Sequence, residues 1–171
     1  MRRILPCLIC ILSACGGESP ESKDIPITAA MKESLIQANK QLTLSESDEI
    51  ELFIRRSGLN MDRTGTGLRY LITHHGSGEQ AKTGMTATVR FTLSLLSGKV
   101  CYSSDSTGTE QFRIDHDEVE SGLHEGVKLM RVGDRAKFIL PSHLAHGLVG
   151  DKDCIPPRSP VVYDIELLKL N

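Results

Sequence analysis

Between Thr86 and Leu95 apolar and polar side chains alternate without a break. Ala87, Val89, Phe91, Leu93 and Leu95 fall on one side, and Thr86, Thr88, Arg90, Thr92 and Ser94 on the other. Period two is the signature of a strand, and one polar face marks the sheet as antiparallel. Leu68, Tyr70 and Ile72 alternate from Gly67 to a turn at Gly76-Ser77-Gly78, and Ala136, Phe138 and Leu140 alternate within 135–141. In 161–170, Val161, Tyr163, Ile165 and Leu167 oppose Asp164 and Glu166. A shorter strand is expected around Phe112–Ile114. Ser97-Gly98 reads as a turn, 103–110 as a polar connection, and 144–160 as a long loop with Gly147, Gly150 and three prolines.

The spacing changes to helical at Val119, Leu123, Val127 and Met130. Gly122 and Gly126 lie beside that stripe. Each costs a helix about 1 kcal/mol relative to alanine, and close backbone approach to a sheet is the gain that offsets it. Gly133 ends the element. Nearer the N-terminus, Met31, Leu35, Ala38 and Leu42 predict one short helix over 28–42. Ile50, Phe53 and Ile54 predict a second over 46–57, with Ser45 and Asp48 as a capping box, Arg55 and Arg56 in the last turn and Gly58 after it. Both are read as a spacer packing on the main domain. The fold class is α+β: a half-wrapped antiparallel sheet with one covering helix, preceded by two short N-terminal helices.

With 171 residues, 39% of them apolar, the chain is long enough for one domain with a buried core. A formal charge of −2, with three tyrosines, four phenylalanines and no tryptophan, argues against a nucleic-acid binder. The start of the chain follows the secretory-signal pattern: basic Met1-Arg2-Arg3, then apolar 4–12, too short to span a bilayer. Leu12-Ser13-Ala14-Cys15 resembles a bacterial lipoprotein processing site. The resemblance implies removal of 1–14 and lipid on Cys15, with several acyl chains for stable anchoring. Losing Arg2 and Arg3 and no acid moves the charge from −2 to −4. Residues 15–27, rich in Gly, Ser, Pro and charge, read as a flexible tether, and 28–66 as a helical extension. Gly16, in place of an aspartate after Cys15, favours the outer over the inner membrane, with the protein facing the periplasm.

Three stretches together resemble the FKBP family of peptidyl-prolyl cis-trans isomerases. They are Gly122-Leu123-His124-Glu125-Gly126-Val127 running on to Gly133; Leu140-Pro141 with Leu144-Ala145-His146-Gly147; and Ile155-Pro156-Pro157 with Val162-Tyr163-Asp164-Ile165-Glu166-Leu167. Gly67-Leu68-Arg69-Tyr70 resembles the first strand of secreted members, so the likeness covers 67–171. Tyr102-Ser103-Ser104 and 120–125 further resemble the gliding-motility-associated lipoprotein branch.

The resemblance implies a proline pocket framed by Phe91, Tyr102, Val119, Leu123, Ile155 and Tyr163, with His146 at its edge and Cys101, Glu110 and Glu120 on the rim. Phe91 keeps a ring where the family has tyrosine, and Tyr163 stands for a phenylalanine. Cys101 replaces a wall phenylalanine, Tyr102 an aspartate and Glu110 an aromatic. Leu123 replaces the tryptophan floor. Glu120 replaces an isoleucine whose backbone amide binds the substrate carbonyl, and His146 replaces a hydroxyl-bearing tyrosine and can donate in its place. No cofactor and no metal are implied. The partners are proline-containing polypeptides and, through Cys15, the membrane; the chain is read as a monomer.

After signal removal and lipidation only Cys101 and Cys154 remain as thiols, and the resemblance puts both at the pocket mouth. A disulfide is expected in an oxidising compartment, with two buried thiols as the other outcome. His143, His146, Asp151, Asp153 and Cys154 match no standard zinc spacing, and Ser121, His124 and Asp164 come without a nucleophile elbow. His74 and His75 read as exposed. Two functions stay open: a lipid-anchored prolyl isomerase, or a non-catalytic chaperone or assembly factor on the same fold.

Overall fold

The structure is a computed structural model that describes residues 28–171. The expected signal segment, the tether and Cys15 lie outside the described residues. The alternating segments form one antiparallel sheet of seven strands: β1 (Asp62–Arg63), β2 (Arg69–His74), β3 (Thr86–Leu95), β4 (Val100–Ser103), β5 (Glu110–Arg113), β6 (Arg135–Leu140) and β7 (Val161–Leu170). Their order is β1-β2-β6-β7-β3-β4, with β5 also paired to β3. The chain's last strand is thus central, zipped to β6 on one side and β3 on the other.

Alternation decides which face each side chain occupies. Val161, Tyr163, Ile165 and Leu167 of β7 join Ala87, Val89 and Leu93 of β3 and Ala136, Phe138 and Leu140 of β6 in one core. On the opposite face Glu166 stands in register with Arg90 and Arg135 and pairs with both, and Asp164 pairs with Lys137. Solvent-exposed pairs of this kind each contribute at most about 1 kcal/mol.

Among the described residues three α-helices accompany the sheet: α1 (Ala29–Arg56), the single turn α2 (Ser104–Thr107) and α3 (Ser121–Lys128). Helix α3 is shorter than the apolar stripe that predicts it. Glu120 opens it in an extended conformation, and the Leu129 and Met130 amides close it with bonds to residues three back. Leu123, Val127 and Met130 are nevertheless buried. A Cβ on Gly126 would lie 2.6 Å from the Phe138 ring, and one on Gly122 would lie 2.6 Å from Leu140 Cγ. The two glycines therefore let the helix backbone approach β6 more closely than any other residue would.

The two short N-terminal helices are corrected to one. Helix α1 runs unbroken through Ser45, because nothing from Leu42 to Glu46 is Gly or Pro and each amide keeps its helical partner. Thr28 is the N-cap, its Oγ1 accepting from Met31 N at 3.2 Å. The two apolar stripes have different fates. Met31, Leu35 and Leu42 are exposed, whereas Ile50 and Ile54 pack on Ile139 and Val162, on the face of the sheet that alternation assigns to water. Polar contacts lock the same half in place. Buried Arg69 donates to Glu51 at 2.8 and 3.0 Å and to Ser47 at 3.1 Å, and Glu46 accepts from Ser142 Oγ at 2.7 Å. The extension also supplies β1 to the sheet edge.

Candidate active site

Helix α3 lays Leu123 against the concave core face, 1% exposed, beside Ile155 and Tyr163. Phe91 tilts over Tyr163, the ring centroids 5.7 Å apart at 48°, and Val119 packs on the same cluster from the residue before the Glu120 cap. These five make an apolar floor. In this structure the floor is closed: Tyr163 is only 3% exposed.

Above it opens a concavity of about 600 Å³ lined by Glu110, Glu118, Val119, Glu120, Ala145 and His146. Glu120 is the hinge between floor and rim. Its Oε1 accepts from the Tyr163 hydroxyl at 2.9 Å and lies 2.9 Å from His146 Nε2. The histidine contact lacks hydrogen-bond alignment, and Nε2 has no other partner among the described residues. Burial, then the charge of Glu120, pushes the Glu110 carboxyl above the usual carboxylate range. Burial, then Glu120, pushes the Tyr163 hydroxyl well above the usual tyrosine range, so it remains a donor. The Glu120 N–H precedes the first turn of α3 and lies outside the helical ladder.

Tyr102 and Cys101 pack on the same core but form a brace beside the concavity. The Tyr102 hydroxyl donates to Asp151 Oδ2, while Asp151 Oδ1 accepts from Asp153 N at 2.9 Å and Ile155 N at 2.8 Å. The hydrogen bond to Asp151, with burial and the charges of Asp151 and Asp153, pushes the Tyr102 hydroxyl up to about 12. The structure joins Cys101 to Cys154, their Cα atoms 5.5 Å apart, so the loop before Ile155 is tied to β4 twice.

The metal and hydrolase combinations come apart in three dimensions. His143 Nε2 meets Thr66 O, 3.0 Å away, Cys154 is in the disulfide and Asp151 holds Tyr102. His124 Nδ1 accepts from Asp115 N, far from Asp164 on the outer face. A second concavity, of about 400 Å³, lies on that outer face among Arg90, Arg135, Asp164 and Glu166, whose charges are already paired with one another or with Lys137. The sequence offers Asp151 only as a metal ligand and Ala145 only as part of a motif, and it gives no sign of Glu118 at the rim. Asp151 was detectable, because Asp-x-Asp before a buried Ile is the pattern of a side chain that captures the backbone two residues on.

The sequence profile of the FKBP-type peptidyl-prolyl cis-trans isomerases matches residues 77–168, which contain every floor and rim residue. This chain belongs to that family. Among curated relatives, a Haemophilus influenzae protein named "Probable FKBP-type peptidyl-prolyl cis-trans isomerase" is 32% identical over 155 residues, covering 90% of this chain and 61% of the relative. FkpA of Escherichia coli K12 is 35% identical over 119 residues, covering 69% of this chain and 42% of FkpA. The chain thus spans about half the length of the curated relatives it matches. The crystal structure of Escherichia coli FkpA superposes with a TM-score of 0.65 at 27% identity, over 85% of this chain and 74% of that one. AtFKBP13 superposes with a TM-score of 0.62 at 28% identity, over 66% of this chain and 99% of that one.

Proposed function

We propose that this chain is a peptidyl-prolyl cis-trans isomerase acting on exported, proline-containing polypeptides. In the same proposal it is anchored by lipid on Cys15 in the bacterial envelope, faces the periplasm and sits in the outer membrane. The observation that carries the activity is the stacked arrangement of Phe91, Leu123, Ile155 and Tyr163 beneath a solvent-open concavity, at the helix where the family match is centred.

Rotation about an X–Pro bond crosses a barrier of roughly 18–20 kcal/mol, because the twisted amide loses its resonance. The twisted amide is less polar along C–N than either planar form, so an apolar, water-poor floor stabilises it selectively. Phe91, Val119, Leu123, Ile155 and Tyr163 supply that floor, and the Glu120 N–H supplies a donor for the carbonyl. His146 supplies a second donor at the edge. Because Tyr163 is covered, entry of a proline ring requires Glu120 and His146 to move aside. Acceleration of cis-to-trans exchange in a proline tetrapeptide, read by NMR or protease coupling, tests the activity. An unaccelerated rate removes it.

A second reading has its own support. The floor is closed, and Leu148 and Val149 on the neighbouring loop are exposed, which suits a holdase that grips apolar segments without turning over proline. Suppression of aggregation of a proline-free client, without isomerisation of the tetrapeptide, would establish it. Kinship to the gliding-motility branch rests on Tyr102-Ser103-Ser104 and 120–125 and belongs to the proposal. So does the monomeric state, which sedimentation tests against the exposed Met31, Leu35 and Leu42 of α1. Metabolic labelling with an alkynyl fatty acid tests the anchor: Cys15→Ser loses the label and leaves the outer-membrane fraction.

A further inference from the structure

We infer that this site selects prolines flanked by a cationic side chain, lysine or arginine. The inference rests on the isomerase reading and adds the substrate class. Three carboxylates, Glu110, Glu118 and Glu120, line the concavity above the apolar floor, and its lining contains no lysine or arginine. The single group of opposite tendency, His146, lies against Glu120 Oε1, the oxygen already taken by Tyr163. Glu120 Oε2 accepts no hydrogen bond among the described residues.

Two further features match a long cationic side chain. Val119 and Ala145 stand among the carboxylates. The methylene stem of a lysine or arginine lies along such apolar ground while its charged head reaches the acids. Glu110 and Glu120 also repel each other across the half-buried rim, and a cation placed between them relieves that repulsion. An acidic neighbour of proline meets the opposite situation. A concave site lined by one sign of charge concentrates ligands of the other sign by about tenfold or more at low salt.

The test uses the full mature chain in detergent and end-blocked peptides Ala-Xaa-Pro-Xaa-Ala, with Xaa Lys, Leu or Glu. The rate of cis–trans exchange and the affinity are both measured by NMR. At low salt the Lys peptide is expected to exceed the Glu peptide about tenfold or more in catalysed rate, with Leu between. The ratio should shrink at about 0.5 M salt and in Glu110→Gln and Glu118→Gln. Asp62→Asn, the same charge change on the far edge strand, should leave it alone. Equal rates on the three peptides overturn the inference, as does an Asp62→Asn effect as large as that of Glu110→Gln. If no peptide is accelerated, the isomerase reading fails by itself. The affinities then decide the inference: tighter binding of the Lys peptide than the Glu peptide supports it, and equal binding overturns it.

Discussion

The hydroxyl of Tyr163, in the central strand, donates to Glu120 Oε1, on the residue that opens α3, at 2.9 Å. The bond joins the deepest ring of the apolar floor to the rim carboxylate, so the two layers of the site are one polar unit. A hydrogen bond to a charged group contributes about 1.5–3 kcal/mol, and removing the donor leaves Glu120 short of a partner. Tyr163→Phe is therefore expected to lower stability by about 2 kcal/mol in urea melts. A variant as stable as the wild type would mean that the bond is replaced by water at no cost.

Gly126 sets a helix preference against a packing limit. Alanine would favour α3 by about 1 kcal/mol, but its Cβ would fall 2.6 Å from the fully buried Phe138 ring. Overpacking of this kind costs about 1–3 kcal/mol. Gly126→Ala is expected to be net destabilising, with a lowered thermal midpoint by calorimetry. A raised midpoint would show that the ring has room to move.

Two carboxylates predict opposite acid behaviour. Burial pushes the Asp151 carboxyl up, but the Tyr102 hydroxyl, the Asp153 and Ile155 amides and nearby His146 outweigh it and hold it at about 2, below the ordinary 3.8. A depressed pKa adds stability that is present above the ordinary value and lost as pH falls toward 2. Glu110 is raised by burial and by Glu120, so its ionisation weakens the fold as pH climbs through and beyond the ordinary carboxylate range. Melts across pH should show Asp151→Asn losing stability at neutral pH and little in strong acid. Glu110→Gln should gain at neutral pH and show no gain in acid. The reverse ordering would contradict the geometry of both groups.

Cys101 and Cys154 close a loop of 53 residues. In the chain-entropy picture that constraint is worth about 4 kcal/mol, less any strain. Cys154→Ser, and the wild type under reductant, should both lose stability of that order in guanidinium melts. Thiol counting on protein purified without reductant checks the bond itself: two reactive thiols after denaturation would show it absent.

The strands were legible because alternation is a local property. From Ala87 to Leu95 in β3 and from Val161 to Leu167 in β7 every second residue is apolar, and these residues belong to or pack against the main core. Helix α3 was legible for the same reason, and its two glycines already carried the message of close approach, since a cost of about 1 kcal/mol each needs an offset. The break expected at Ser45 was misread because a capping box is a local pattern that a helix overrides when the following residues stay helical. Strand β4 and the β1 edge were missed because each is short and gains its stability only from its partners, as in the Leu93–Tyr102 pairing.

The sheet, the covering helix, the family and the residue types of the site are all readable from the chain, because periodicity and motif order are written along it. Which partners those residues take emerges only in three dimensions. Glu120 is bound to Tyr163 across 43 positions, Tyr102 to Asp151 across 49, and Ile139 and Val162 are covered by Ile50 and Ile54 instead of water. Such pairings depend on how strands from distant parts of the chain are ordered in the sheet, and no local pattern encodes that order. Whether an apolar pocket stands open or closed depends on them in turn: the ring that floors this site is covered because a carboxylate far along the chain reaches its hydroxyl.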